Sequence, residues 1–333
     1  MKRLMCSFAV LLLLLVACGC HLQQQSAEDA PTFAYSGWAY GERSGVLRIS
    51  DGSLLTAQSY PWTQYADHVK KVIIEEADGI GDGAFAFFSA LQTAELPSGI
   101  TYIGENAFSG CYSLQEITLC APLQRIGARA FFECRSLQSL ILPVSLTEIG
   151  EQAFACCTSL SQIESQSDSF AVADKMLFNA DKTQLLLCSA AAEGDITVPD
   201  GVLHIAERAF AECNAVQSVT LPAGLLSVGS YAFSQCRMLT SVTLPASLQT
   251  LGEGAFCLSE QLQSMVIPDA VKELPDSLFF ACTQLQNVHL PSALETIGVS
   301  AFAECISLQA ADFAGNIKAV AVAEDNIPLT SLF

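Results

Sequence analysis

Leu146-Thr147-Glu148-Ile149-Gly150-Glu151-Gln152-Ala153-Phe154-Ala155-Cys156-Cys157-Thr158-Ser159-Leu160-Ser161-Gln162-Ile163 is the stretch that decides how this chain folds. Its small and apolar positions are Leu146, Ile149, Gly150, Ala153, Phe154, Cys157, Leu160 and Ile163, and the same unit recurs on both sides. Aligned on the aromatic ring, the copies carry Phe85, Phe108, Phe131 and Phe154, then Phe210, Phe233, Phe256, Phe279 and Phe302. Every step is 23 residues except the one from 154 to 210, which is 56. Nine copies in register mean that one short unit is stacked on itself. A solenoid follows, and the usual count of globular domains from 333 residues does not apply.

Each unit has two halves. Ile117-Thr118-Leu119 alternates apolar and polar with period two, as a half-buried strand does, and so do Val219-Thr220-Leu221, Val242-Thr243-Leu244 and Val288-His289-Leu290. A proline usually follows (Pro143, Pro222, Pro245, Pro268, Pro291) and ends the strand by removing a ladder donor. In the other half, Ile126, Ala130 and Cys134 around Phe131 have the spacing of a short helical turn. The predicted fold is therefore an α/β repeat solenoid. It is a right-handed parallel stack of about eleven coils, with short helical turns opposite the sheet. A lone unit buries too little to offset the ordering of its backbone, so the coils must stack. A glycine precedes the turn in most units (among them Gly104, Gly127, Gly150, Gly229, Gly252 and Gly298), but Ala206 and Pro275 hold the position in two others. Proline fixes a negative φ, so the column is expected to serve close packing and not a left-handed backbone.

Hydrophobic residues make up 51% and charged residues 15%, which excludes a disordered chain. Fifteen Lys and Arg against 34 Asp and Glu leave a net charge of −19, which repels nucleic acid and anionic lipid headgroups. Lys2 and Arg3 precede an apolar run from Leu4 to Ala17, too short to span a membrane and suited to a signal peptide over residues 1–17. The run ends in Leu15-Val16-Ala17-Cys18, which is similar to a lipobox and marks Cys18 as the lipidated residue. Residues 18–35 then read as lipidated Cys and flexible tether, 36–70 as an N-terminal cap, 71–313 as the solenoid and 314–333 as a C-terminal cap or tail.

The unit Ile-Gly-x-x-Ala-Phe-x-x-Cys-x-x-Leu resembles the BspA-like, or treponemal-type, leucine-rich repeat, over about residues 36 to 313. Pro61-Trp62 and Tyr65, followed by Val69-Lys70-Lys71-Val72-Ile73-Ile74, resemble that family's N-terminal module. Phe170 to Cys188 resembles its β-hairpin island (about 168–190), with an Asn179-Ala180-Asp181-Lys182 turn. The island would account for the long step. The resemblance implies a surface lipoprotein of a host-associated microbe, adhesin-like, recognising a host or neighbouring-cell protein or glycan. The alternative is a structural or assembly protein of the cell envelope with no host ligand.

Seven of the fourteen cysteines (Cys111, Cys134, Cys157, Cys213, Cys236, Cys282, Cys305) share the position three residues after Phe, where Phe88 and Ser259 also stand. A slot that accepts Phe and Ser is a packing slot, so buried reduced thiols are expected there in preference to a disulfide ladder. In the Cys156-Cys157 pair one residue should be buried and the other lie at an edge. No catalytic or phosphate-binding motif is present, the four histidines are scattered, and neither an enzyme nor a metal or other cofactor is predicted. The predicted working surface is the outward face of the strands, a polar ladder of Glu116, Thr118, Gln162, Glu164, Ser218, Thr220, Ser241, Thr243, Asn287 and His289. Trp38 and Trp62 are expected to close the first coil's open core.

Overall fold

The computed structural model describes residues 31–57, 59–308 and 310–312; the predicted leader, Cys18, most of the predicted tether and the predicted tail lie outside the described residues. The described chain is a β-solenoid of about eleven turns built from two stacked series of short parallel strands and a turn arm. The first series carries Lys71–Ile74, Thr93–Glu95, Glu116–Ile117, Ser139–Leu142 and Gln162–Ser165. Beyond the long step it resumes as Glu193–Thr197, Ala215–Thr220, Ser241–Thr243, Ser264–Val266, Asn287–His289 and Ala310–Asp312. Inward residues such as Val219 (2% exposed) alternate with outward ones, because successive side chains of a strand point to opposite faces. The second series consists mostly of two-residue strands ending at the Ile or Val before the glycine column, including Tyr102–Ile103, Arg125–Ile126, Ser227–Val228 and Thr296–Ile297.

The predicted helical turns are replaced by a different structure. Among the described residues there is no α-helix, only two 3-10 segments at Gly52–Thr56 and Thr63–Tyr65. In each of the nine Ala-Phe coils the residues two before and two after the Phe have positive φ, for example Asn106 (53°), Gly110 (71°), Arg129 (54°) and Glu133 (58°). A left-handed residue at both ends cannot continue an α-helix. Alternate amides instead reach the next coil: Asn106, Phe108 and Gly110 donate to the carbonyls of Ala128, Ala130 and Phe132 at 2.9, 2.7 and 2.8 Å. The amides between them close tight turns, Ser109 to Asn106 at 3.0 Å and Cys111 to Phe108 at 3.2 Å. The apolar spacing read as helical is thus that of successive tight turns stacked from coil to coil.

The glycine column behaves as its sequence implied. None of Gly104, Gly127, Gly150, Gly229, Gly252 and Gly298 has positive φ. A Cβ on Gly127 would meet the Glu105 amide nitrogen and the Gly104 carbonyl carbon of the preceding coil, both at 2.6 Å. Gly83 is the opposite case, with φ at 64° and only the Ala86 Cβ within 4.0 Å. Gly127→Ala, which must push backbone apart, is expected to cost about 3 kcal/mol. Gly83→Ala, which pays only for the left-handed conformation, is expected to cost about 1 kcal/mol. Urea midpoints of the two variants check this, and equal losses would refute the packing account.

The Phe rings form two columns. Phe85 through Phe154 stack at 5.2 to 5.3 Å between centroids, and Phe210 through Phe302 at 4.8 to 5.6 Å. Between them Phe170–Ala173, Met176–Asn179 and Gln184–Cys188 pair antiparallel, and the last of these continues parallel into His204–Ile205. Leu177 and Leu187 pack into the N-terminal core, whereas Met176, Phe178 and Leu185 pack into the C-terminal one. Cys188 stands in the Phe slot, its amide donating to the Ala209 carbonyl at 2.7 Å as a Phe amide would. The array is therefore two hydrophobic cores joined across an apolar seam.

At the N-terminus, Phe33–Tyr35, Trp38–Gly41 and Val46–Ile49 pair antiparallel, and the last runs parallel to Lys71–Ile74. Trp62 is fully buried, stacks on Phe85 at 6.0 Å and donates its indole N–H to the Ala84 carbonyl at 3.0 Å. Trp38 is 6% exposed and meets Trp62 edge-on. Both tryptophans close the first coil, as a stack of flat coils requires at an open end.

Candidate functional site

The ten sequence-identified face residues lie outward along the first strand series, Thr118 just past the end of Glu116–Ile117. Nine are exposed and Ser218 is half-buried. The inward partners Ile163, Val219, Val242 and Val288 are at most 9% exposed. The ten do not form one ladder. Glu116 and Thr118, then Gln162 and Glu164, belong to the N-terminal half, and the hairpin layer separates them from the other six. In the C-terminal half Ser218 pairs in register with Ser241, and Thr220 with Thr243. Asn287 and His289 continue the face beside Ser264 and Val266.

Two residues that sequence reading missed begin this second array. Asp195 and Thr197 pair in register with Ser218 and Thr220, and the Ser218 hydroxyl donates to Asp195 Oδ1 at 2.6 Å. The signal was present in Asp195-Ile196-Thr197-Val198-Pro199, which repeats the alternation and closing proline of Ser218-Val219-Thr220-Leu221-Pro222. The halves differ in chemistry. On the N-terminal face Lys71 and Glu95 form an ion pair at 2.5 Å, and Gln162 donates to Glu164 at 2.7 Å. Beyond Asp195, the C-terminal face presents mainly hydroxyls, an amide and an imidazole, with Val266 63% exposed among them.

The thiols take no part in either face. Cys111, Cys134 and Cys157 donate S–H to the carbonyls of Phe85, Phe108 and Phe131 in the preceding coil at 3.2 to 3.3 Å. Cys236, Cys282 and Cys305 do the same at 3.0 to 3.1 Å, and Ser259 makes the equivalent bond at 2.6 Å. Burial pushes the Cys111 and Cys305 thiols up to about 12, and Cys134, Cys236 and Cys282 well above the usual thiol range, where Cys213 also lies. For Cys213 a side-chain hydrogen bond with Cys188 is the leading cause, ahead of burial. The expectation of one buried and one edge residue at Cys156-Cys157 fails, because both are 5% exposed. The position two after Phe is open in some coils, as at Phe87 (65% exposed), and covered in others, as at Ala281 (5% exposed). At the seam, Cys156 lies beside Glu212 and Arg208 of the coil beyond the hairpin. Burial first, then Glu212, raises its thiol to about 12.

The seam is also strapped on its turn side. Arg208 lies over the rings of Phe132 (5.7 Å) and Tyr231 (4.6 Å), and Arg135 pairs with Glu212 at 3.7 Å. A cleft of about 200 Å³ opens beside it, whose polar lining is Glu151, Gln152, Gln184 and Glu207. A smaller one of about 130 Å³ lies over Gly104 and Gly127, lined also by Asp82, Tyr102, Glu105 and Arg125. Neither lining brings a Ser, Cys or His nucleophile next to a base. Among the described residues no group of three or more His, Cys, Asp or Glu could hold a metal ion, and no helix is long and apolar enough to cross a membrane.

The solenoid is similar to several solved structures. A leucine rich cell surface protein from Faecalibacterium prausnitzii aligns at 21% identity over 91% of this chain and 98% of its own, with a TM-score of 0.60. A leucine-rich repeat protein from Eubacterium ventriosum aligns at 20% identity over 85% and 83%, with a TM-score of 0.70. The pneumococcal vaccine antigen PcpA aligns at 22% identity over 78% of each chain, with a TM-score of 0.58. At these identities the likeness is one of fold. No curated protein matches the sequence. The sequence profile of the BspA type leucine rich repeat region matches residues 68–191 and 195–322 in six copies. With the in-register Phe columns and the stacked parallel strands, that match makes this chain a member of the BspA-type leucine-rich repeat family.

Proposed function

We propose that this chain is a non-catalytic, adhesin-like binding protein displayed at the cell surface, anchored by lipid on Cys18, that recognises another protein through its C-terminal strand face. The observation that carries this reading is the hydroxyl-rich array of Ser218, Thr220, Ser241, Thr243, Asn287 and His289, outward on the C-terminal strands with Asp195 at its first strand, on a chain with net charge −19. A row of mostly short polar side chains held on stacked strands loses little conformational entropy when covered. Val266, 63% exposed within the row, supplies apolar area for a contact core. The repeat family and the named surface protein of similar fold support binding as the role.

The test is a binding screen of the chain without its leader against extracellular-matrix proteins, with a glycan array alongside. Saturable protein binding is expected. The double variant Thr220→Lys, Thr243→Lys should weaken it at least about tenfold, the scale of a contact worth 1.4 kcal/mol. Both positions are outward, so folding stability should move by no more than about 0.5 kcal/mol each. Glu116→Lys, on the other half, should leave affinity unchanged. Binding to glycans alone would change the ligand class. Co-purification with envelope proteins, without any soluble ligand, would replace display by envelope assembly.

A further inference from the structure

The N-terminal cap carries more aromatic surface than closing the core requires. Trp62 and Trp38 already seal the first coil, and Tyr40 is 1% exposed beneath them. Outside this inner layer lies a second one. Phe33 (37% exposed) stacks on Tyr65 at 5.7 Å, and Tyr35 (49% exposed) stacks on Trp38 at 4.3 Å. The Tyr35 and Tyr65 hydroxyls meet at 3.4 Å. Phe33 and Tyr35 share one side of the outermost strand, so the three rings form one patch at the end of the solenoid where the chain arrives from its leader.

Charge is divided just as unevenly. Residues 31–75 hold four basic residues (Arg43, Arg48, Lys70, Lys71) and four acidic ones (Glu42, Asp51, Asp67, Glu75). Residues 1–30 also balance, Lys2 and Arg3 against Glu28 and Asp29, so the whole net charge of −19 falls on residues 76–333. The repeat array is repelled by an anionic envelope surface, and the cap is not. Fourteen residues separate Cys18 from Phe33, a reach of at most about 50 Å when fully extended. Tyrosine, with an apolar ring and a polar tip, is a side chain that settles at the boundary between headgroups and acyl chains.

We propose that the Phe33, Tyr35 and Tyr65 patch docks on the lipid surface to which the chain is anchored. The patch seats in the headgroup boundary, while the acidic solenoid projects away with its strand faces free. This rests on the reading of Cys18 as the lipidated residue. The occupant is a zwitterionic lipid surface, since the cap has no excess positive charge and Glu42 lies near Tyr65. Anchoring by acyl chains alone would leave the body free to tumble on its tether; the patch gives it one orientation.

The two tryptophans, Trp38 and Trp62, both lie in the cap and make an intrinsic probe. The chain from residue 18, with a hexahistidine tag ahead of Cys18, is tethered to phosphatidylcholine vesicles through nickel-chelating lipid. Quenching of tryptophan emission by phosphatidylcholine brominated along its acyl chains is then recorded. The wild-type protein should be quenched. The double variant Phe33→Ser, Tyr35→Ser, equally tethered and with unchanged Tm, should be quenched several-fold less, and Thr220→Lys, Thr243→Lys should match wild type. Absence of quenching in the tethered wild type, or equal quenching in the double variant, overturns the docking surface. The tag supplies the tether, so this outcome is independent of lipidation. Mass analysis of the N-terminal peptide from cells tests the anchor separately, and an unmodified Cys18 overturns both the anchor and the membrane orientation built on it.

Discussion

Raising the pH from 8 to 10 is expected to unfold this protein. Nine buried thiols (Cys111, Cys134, Cys156, Cys157, Cys213, Cys236, Cys257, Cys282, Cys305) have folded pKa values raised above the ordinary thiol value of 9.0, in most cases chiefly by burial. In the unfolded chain the same groups ionise near their ordinary value. The folded state thus holds more protons between about pH 9 and 12, and stability falls as pH rises through that window. Below the unfolded pKa the contribution is intact. Above it each thiol costs about 1.4 kcal/mol per pH unit until its folded pKa is reached. At pH 10 the eight more deeply buried of these thiols, all but Cys257, together remove about 11 kcal/mol, comparable with the whole stability of an ordinary domain. Urea unfolding at pH 8, 9 and 10 measures this. A loss below about 2 kcal/mol across that range would mean that the thiols are not protonated donors in the native stack. Cys134→Ser should flatten the dependence by about one proton while keeping the fold, because Ser259 already fills the equivalent slot and bonds the Phe233 carbonyl. Thiol reagents should label these positions only as the chain unfolds, since the thiolate is the reactive form and burial suppresses it.

Phe131→Ala should be among the most damaging single substitutions in the repeats. The ring is fully buried and stacked on Phe108 and on Phe154, both at 5.3 Å. Its removal opens a cavity between two coils whose backbones are held at a fixed spacing by hydrogen bonds, so the space cannot collapse, and the cost is expected to be about 5 kcal/mol. Phe154→Ala, with a stacking partner on one side and the hairpin layer on the other, should cost about 3 kcal/mol. Denaturant unfolding of both variants checks the order, and a loss much below 1 kcal/mol at either would contradict the ring columns as core. The two cores also predict where damage spreads. Phe131→Ala should weaken protection of amides in the N-terminal half before those beyond the hairpin, because each coil touches only its neighbours.

Period, facing and packing roles could be read from residues alone. The 23-residue spacing announces stacked coils, and alternation along Val219-Thr220-Leu221 and its equivalents sorts inward from outward side chains. Ala206 and Pro275 in the glycine column were enough to rule out a left-handed backbone there. Phe88 and Ser259 in the cysteine column were enough to identify a packing slot. Each of these readings compares one position across copies, and a repeat protein carries its own alignment.

The turn arm, the Cys156 environment and the division of the strand face depend on contacts that no single copy contains. Arg129 and Glu133 occupy a left-handed conformation that costs each of them energy in isolation. They hold it because their amides donate to Glu151 and Ala155 of the next coil. Cys156 has Arg208 and Glu212 of the coil beyond the hairpin layer beside it, and the same layer interrupts the strand ladder between Glu164 and Asp195. The sequence by itself determined which side chains of each coil face the core and which face solvent, since that follows from local periodicity. Only the tertiary structure decided the hand of the turns and which outward residues share a surface, since both depend on hydrogen bonds and contacts between residues one coil or more apart.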